Sequence, residues 1–138
     1  MIQRIQTFYL VAGALLLALF VALADGWASA IAPDLAWLRT AGYVLAVVTA
    51  AVALGAVALF KNRELQRRVI LWAQWLDLVL VVVVLVGLYL RSDSSGPTAP
   101  VGLYLVALQP LVAYVLLRMA RQRVTRDIEV VRSMDRIR

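Results

Sequence analysis

The chain has 138 residues, 64% of them apolar, and a mean hydropathy of +0.87; a soluble domain of this size could not bury that much apolar surface, which makes lipid the expected solvent. A formal charge of +6 would in a soluble protein point to nucleic acid, but twelve of the fourteen basic residues lie at Arg4, in 61–68 and in 118–138, three stretches separated by pairs of apolar segments, where membrane topology accounts for them. The absence of Cys and His removes thiol redox centres, zinc sites of the common Cys/His type and His-ligated haem, so neither a metal nor a cofactor is expected.

A bilayer core about 30 Å thick needs about 20 apolar residues in helix, and four stretches qualify: 8–24, 40–60, 69–90 and 101–117. In the first, Ile2 and Ile5 lie a helical step before the apolar run, so the helix should start at the membrane interface with Arg4 snorkelling. Arg4, the apolar stretch and the small residues Ala22 and Ala24 also resemble a signal peptide. Its removal would leave three spans with the other two basic regions on opposite sides of the membrane, so a retained helix is expected. The next connection, 25–39, carries Trp27 and Trp37, whose indoles suit the headgroup region. The second span follows. Small residues at four-residue spacing, Ala14, Ala18 and Ala22 in the first helix and Gly42, Ala46 and Ala50 with Ala51 and Gly55 in the second, suggest close backbone approach in a first hairpin.

Residues 61–68 form a short charged connection carrying Arg63 and Arg67, after which Trp72 and Trp75 open the third span as interface anchors. Residues 91–100 are rich in Ser, Gly and Pro and read as a turn, with Pro100 placed to start the last helix. No Gly or Pro interrupts 118–138, so the fourth helix can continue as a basic amphipathic tail, with apolar stripes at Val124, Ile128 and Val131 and at Val130, Met134 and Ile137. Within it Asp127 is spaced to pair with Arg123, and Glu129 with Arg132. Such a helix is expected to lie on anionic headgroups or to dock onto a partner or onto 61–68. The fold expected is an all-α membrane protein: an antiparallel four-helix transmembrane bundle of two helical hairpins over 1–117, followed by a basic helical tail over 118–138. Because cationic short loops stay inside, both termini should be cytoplasmic.

Asp77 is the one ionisable side chain well inside a span, nine residues beyond Arg68 or about 13 Å at 1.5 Å per residue. A lone carboxylate there is costly unless it is neutral, paired or wet. Gln74 shares its helix face, and Gln109, nine residues before Arg118 on the fourth helix, should sit at the same depth and donate its amide to Asp77. Pro110 removes a backbone donor at that level, while Gln6, Tyr9 and Tyr114 could extend the cluster. Asp77 thus reads first as a polar clamp between the third and fourth helices, and otherwise as a proton- or cation-coupling group or a contact for a partner subunit. No nucleophile beside a base, paired carboxylates or phosphate-cradling loop is present, so no enzyme is expected.

The opening from Met1 to Thr7 with Tyr9 and Leu10, the Phe60-Lys61-Asn62-Arg63 turn with Leu65 and Gln66, and the ending from Arg126 through Asp127, Ser133 and Asp135 to Arg138 resemble an uncharacterised bacterial family of small four-span membrane proteins. The resemblance covers the whole chain and implies an inner-membrane location and four spans, without an activity. It draws attention to the cytoplasmic face, with Arg4, Arg63, Arg132 and Arg136 as candidate contacts beside Arg67, and Asp127 and Asp135 as their internal partners. The function expected is association, as an accessory or assembly subunit of a membrane complex or as a homo-oligomer, with membrane lipids and a protein as partners. The alternative is a small transporter or channel using Asp77, Gln74 and Gln109.

Overall fold

In the computed structural model the chain is described over residues 2–30, 35–95 and 101–135, with side chains over 5–23, 35–91 and 101–134. Four helices account for nearly all of it: α1 (Ile2–Ala30), α2 (Ala36–Ala58), α3 (Arg63–Ser95) and α4 (Val101–Asp135), and no strand occurs among the described residues. Each helix contains a stretch long and apolar enough to cross a membrane. Helices α1 and α3 run past the ends expected from hydropathy. The first continues through Asp25 and Trp27 to Ala30, and the third through Arg91 to Ser95, into the stretches that composition marks as connections. Backbone hydrogen bonding needs no apolar side chain, so a helix can continue after the lipid-facing run has ended. The last helix runs unbroken from Val101 through Pro110 to Asp135.

Packing follows a seven-residue pattern. The buried positions of α3 are Gln66, Ile70, Ala73, Asp77, Leu80, Val84 and Gly87, alternating steps of four and three, with Gln74 buried beside them. The same alternation appears in α1 at Gln6, Leu10, Gly13, Leu17 and Phe20, and in α2 at Gly42, Ala46, Thr49, Ala53 and Ala56. On α4 it links Pro110, Ala113, Leu117, Ala120, Val124 and Asp127. A 4-3 repeat keeps one stripe facing the bundle along its whole length, as in coiled coils. The four-residue stripes expected from the sequence hold only in part: Ala14, Gly42 and Ala46 are buried and Ala50 is half-buried, but Ala18, Ala22, Ala51 and Gly55 are exposed. A strict step of four drifts around an α-helix, because four residues turn it by more than a full circle. Small side chains nevertheless dominate the α2 stripe, and a Cβ at Gly13 on α1 would meet the Ala113 carbonyl oxygen of α4 at 3.8 Å, ordinary van der Waals contact with that backbone. In lipid, van der Waals contact of this kind and polar pairing hold helices together, since lipid tails are as apolar as Leu.

The stripes enclose two apolar clusters. One joins Leu10, Ala14, Ala53, Ala56, Ile70, Ala73, Leu117, Ala120, Val124 and Ile128; the other joins Leu17, Phe20, Leu38, Ala46, Leu80, Val84, Leu103 and Ala113. Val124 and Ile128 thus face the bundle's own core rather than a headgroup surface, and the tail expected over 118–138 is continuous with the fourth span. Exposed Leu, Val, Trp and Tyr side chains cover the outside, the inverse of a soluble bundle and the arrangement that a lipid environment favours.

Candidate functional site

Two sets of polar side chains interrupt the core stripes. The first lies where the start of α1, the α2–α3 connection and the last part of α4 meet. Asn62 precedes α3, and its Oδ1 accepts a hydrogen bond from the Leu65 backbone N–H at 3.1 Å, satisfying one of the donors that every helix start leaves free. Gln66 Nε2 donates to the Ala56 carbonyl at 3.0 Å, serving one of the acceptors at the end of α2. Two polar side chains thereby close the connection from both sides. Next to them Gln6 Nε2 donates to Asp127 Oδ2 at 2.9 Å, and the Arg63 guanidinium stands 3.8 Å from the same oxygen. Arg132 bonds Glu64 at 2.6 Å, with Arg67 also 3.7 Å from Glu64. Asp127 and Arg132 therefore reach across to α1 and α3, where the sequence had suggested pairing along their own helix with Arg123 and Glu129. Ser133 turns back to the Val130 carbonyl at 2.8 Å.

The second set lies between the two apolar clusters and comprises Thr49, Gln74 and Asp77, with Gln109 nearby. Thr49 and Asp77 are fully buried. Thr49 Oγ1, Gln74 Oε1, both oxygens of Asp77 and Gln109 Oε1 have no hydrogen-bond partner among the described residues. The bond expected from Gln109 to Asp77 is therefore not made. Neither oxygen of Asp77 has a donor within reach among the described residues, and the Gln109 side-chain oxygen is likewise left without one. Gln6 is likewise not an extension of this cluster but a member of the first, and Tyr9 packs on the apolar cluster. Tyr114 does approach Gln74, since both line a cavity of about 200 Å³.

Of the aromatic anchors, Trp37, Trp72 and Trp75 are all more than half exposed, the first near the opposite end to the other two. The side chains of Arg4 and Trp27, and the whole of Arg136, lie outside the described residues. Sequence reasoning missed the roles of Asn62 and Gln66, although an Asn immediately before a charged helix start is a legible cap signal. It also missed the partnership of Gln6 with Asp127, which no local pattern encodes. Among the described residues no cluster of three or more Asp, Glu, His or Cys could hold a metal ion.

Neither the curated proteins nor the solved structures contain a match to this chain. The three stretches that carried the resemblance, at the start of α1, in the α2–α3 connection and at the end of α4, are those that supply Gln6, Asn62, Gln66 and Asp127 to one polar network. With a match that runs over residues 2–137, the chain belongs to the family described as Domain of unknown function (DUF4293).

Proposed function

We propose that this is a non-enzymatic protein of the bacterial inner membrane, its helices alternating in direction and both termini cytoplasmic, that acts by association through its arginine-rich end. It serves as an accessory or assembly subunit of a larger membrane complex or forms a homo-oligomer. The observation that carries this reading is the exposed apolar stripe Val130, Val131 and Met134, on the part of α4 that continues past Arg118, Arg121 and Arg126. Apolar side chains are supported by lipid along the spans, but beyond the headgroups they need another protein surface. A groove of about 530 Å³ beside the stripe, lined by Lys61, Asn62, Arg63, Ile128 and Val131, offers a partner both apolar and charged contacts.

Gentle detergent extraction of the full chain, followed by native mass spectrometry, tests the reading. Wild type should carry a second protein or further copies of itself, and a Val131→Asp/Met134→Asp variant should lose them while keeping its helicity. A wild-type chain that emerges alone would sink the proposal. The second reading, a proton- or cation-coupling role for Asp77 with Gln74 and Gln109, is favoured by the unpartnered carboxyl oxygens. It predicts ion flux in liposomes that Asp77→Asn abolishes.

A further inference from the structure

The arginines of the basic end divide into two groups. Arg63 and Arg132 face Asp127 and Glu64. Around the bundle, between α3 and α4, a cleft of about 660 Å³ is lined by Arg67, Arg68, Arg121 and Arg126, with Glu129 as its acidic member. Arg67 shares Glu64, while Arg68, Arg121 and Arg126 have no carboxylate within ion-pair distance among the described residues. Such a concentration of positive charge is repulsive on its own, and an anion relieves it; guanidinium groups bind phosphate oxygens in paired geometry.

A second observation fixes the kind of anion. The cavity of about 200 Å³ shares Leu71 and Arg121 with the basic cleft and continues along α3 past Trp75 and Leu78. It is flanked by apolar and aromatic groups, and into it Gln74 presents an amide that is only 4% exposed and whose oxygen has no partner among the described residues. Gln74 is six residues beyond Arg68, about 9 Å farther along the helix. The exposed Trp72 and Trp75 mark the same level as the membrane interface. The arrangement is therefore cationic at headgroup depth, apolar below it, and equipped with one hydrogen-bonding group between. An ester carbonyl is an acceptor only, so it is the NH2 of Gln74 that would serve it, while the amide oxygen remains available to a donor such as a glycerol hydroxyl.

We infer that the α3–α4 cleft is a binding site for an anionic glycerophospholipid, its phosphate held by Arg68, Arg121 and Arg126, and an acyl chain laid along Leu71, Trp75 and Leu78 with Gln74 at the ester. A soluble phosphate ester would use the arginines alone and leave the lower cavity unfilled. The site does not depend on association through α4, because Val131 and Met134 lie outside both cavities.

The full chain, purified in a mild detergent, is titrated with dioleoyl phosphatidylglycerol, dioleoyl phosphatidylcholine or glycerol 3-phosphate and followed by native mass spectrometry. One phosphatidylglycerol should be retained per chain in preference to phosphatidylcholine, and glycerol 3-phosphate should not displace it. Each Arg→Gln change at 68, 121 or 126 should weaken retention about fivefold, and Arg132→Gln should leave it unchanged. Leu71→Trp, at an exposed position, should block the acyl slot with all arginines intact. Equal retention of the two phospholipids, displacement by glycerol 3-phosphate, or wild-type retention by the triple arginine variant or by Leu71→Trp would overturn the site. Since Val131→Asp/Met134→Asp keeps both cavities, retained lipid in that variant separates failure of the association reading from failure of this one.

Discussion

Asp77 and Asp127 both project from inward-facing positions of the same seven-residue pattern, and both are buried, yet their surroundings differ. Asp127 receives a hydrogen bond from Gln6 and faces Arg63, joining three helices at one end of the bundle. Asp77 sits between two apolar clusters with neither oxygen bonded among the described residues. A buried polar group that has its partners contributes to specificity and stability, whereas one that lacks them costs free energy of the order of 1–3 kcal/mol. The two layers therefore do different things for the fold. The end layer selects how the helices meet, and the central layer is tolerated at a cost. A cost of that kind persists where a group is kept for something other than stability, which is why Asp77 sustains the second reading given above.

Three substitutions set the layers against each other. Asp127→Ala should have the largest effect, destabilising the chain by about 2–3 kcal/mol because Gln6 and Arg63 lose their shared acceptor; reversible unfolding in detergent micelles measures it. Asp77→Leu should act with the opposite sign, raising stability by roughly 1–2 kcal/mol in the same measurement, since an unpartnered carboxyl is exchanged for an apolar side chain. If the two variants are destabilised alike, the contrast between the layers is broken. The smallest effect belongs to Asn62→Ala, which removes the cap of α3 and should cost about 1 kcal/mol. Hydrogen exchange that rises over wild type at Leu65 and not in the middle of α3 would sharpen the assignment by showing that the loss is local.

Four membrane-length helices were legible from hydropathy because crossing a bilayer demands a long unbroken apolar run. Helix ends were less so: Asp25 and Trp27 in α1, and Ser92 to Ser95 in α3, are poor lipid-facing residues but can still continue a hydrogen-bonded helix. The polar side chains inside the spans were found at once, since each contrasts with its neighbours. Their partners were not. Counting inward from Arg68 and Arg118 treats those two arginines as level, and the pairing it suggests is not made, since both oxygens of Asp77 lack a partner among the described residues. Register between helices depends on the end contacts of Gln6, Arg63 and Asp127, and those involve residues far apart in the chain. Repetition likewise misled the reading of Ala18 and Ala22, because spacing identifies a stripe but not the face it occupies.

The length of α4 has a mechanical consequence. At 35 residues it measures about 52 Å at 1.5 Å per residue, against a hydrocarbon thickness of about 30 Å. It is a single rod, longer by about 20 Å than the layer it would cross. Pro110 lies within it without breaking it, although proline offers no amide hydrogen to the helix. The same rod carries Leu103 and Ala113 in one apolar cluster and Leu117, Ala120, Val124 and Ile128 in the other. Whatever takes hold of its far end therefore holds a strut that is packed into the core along most of its length.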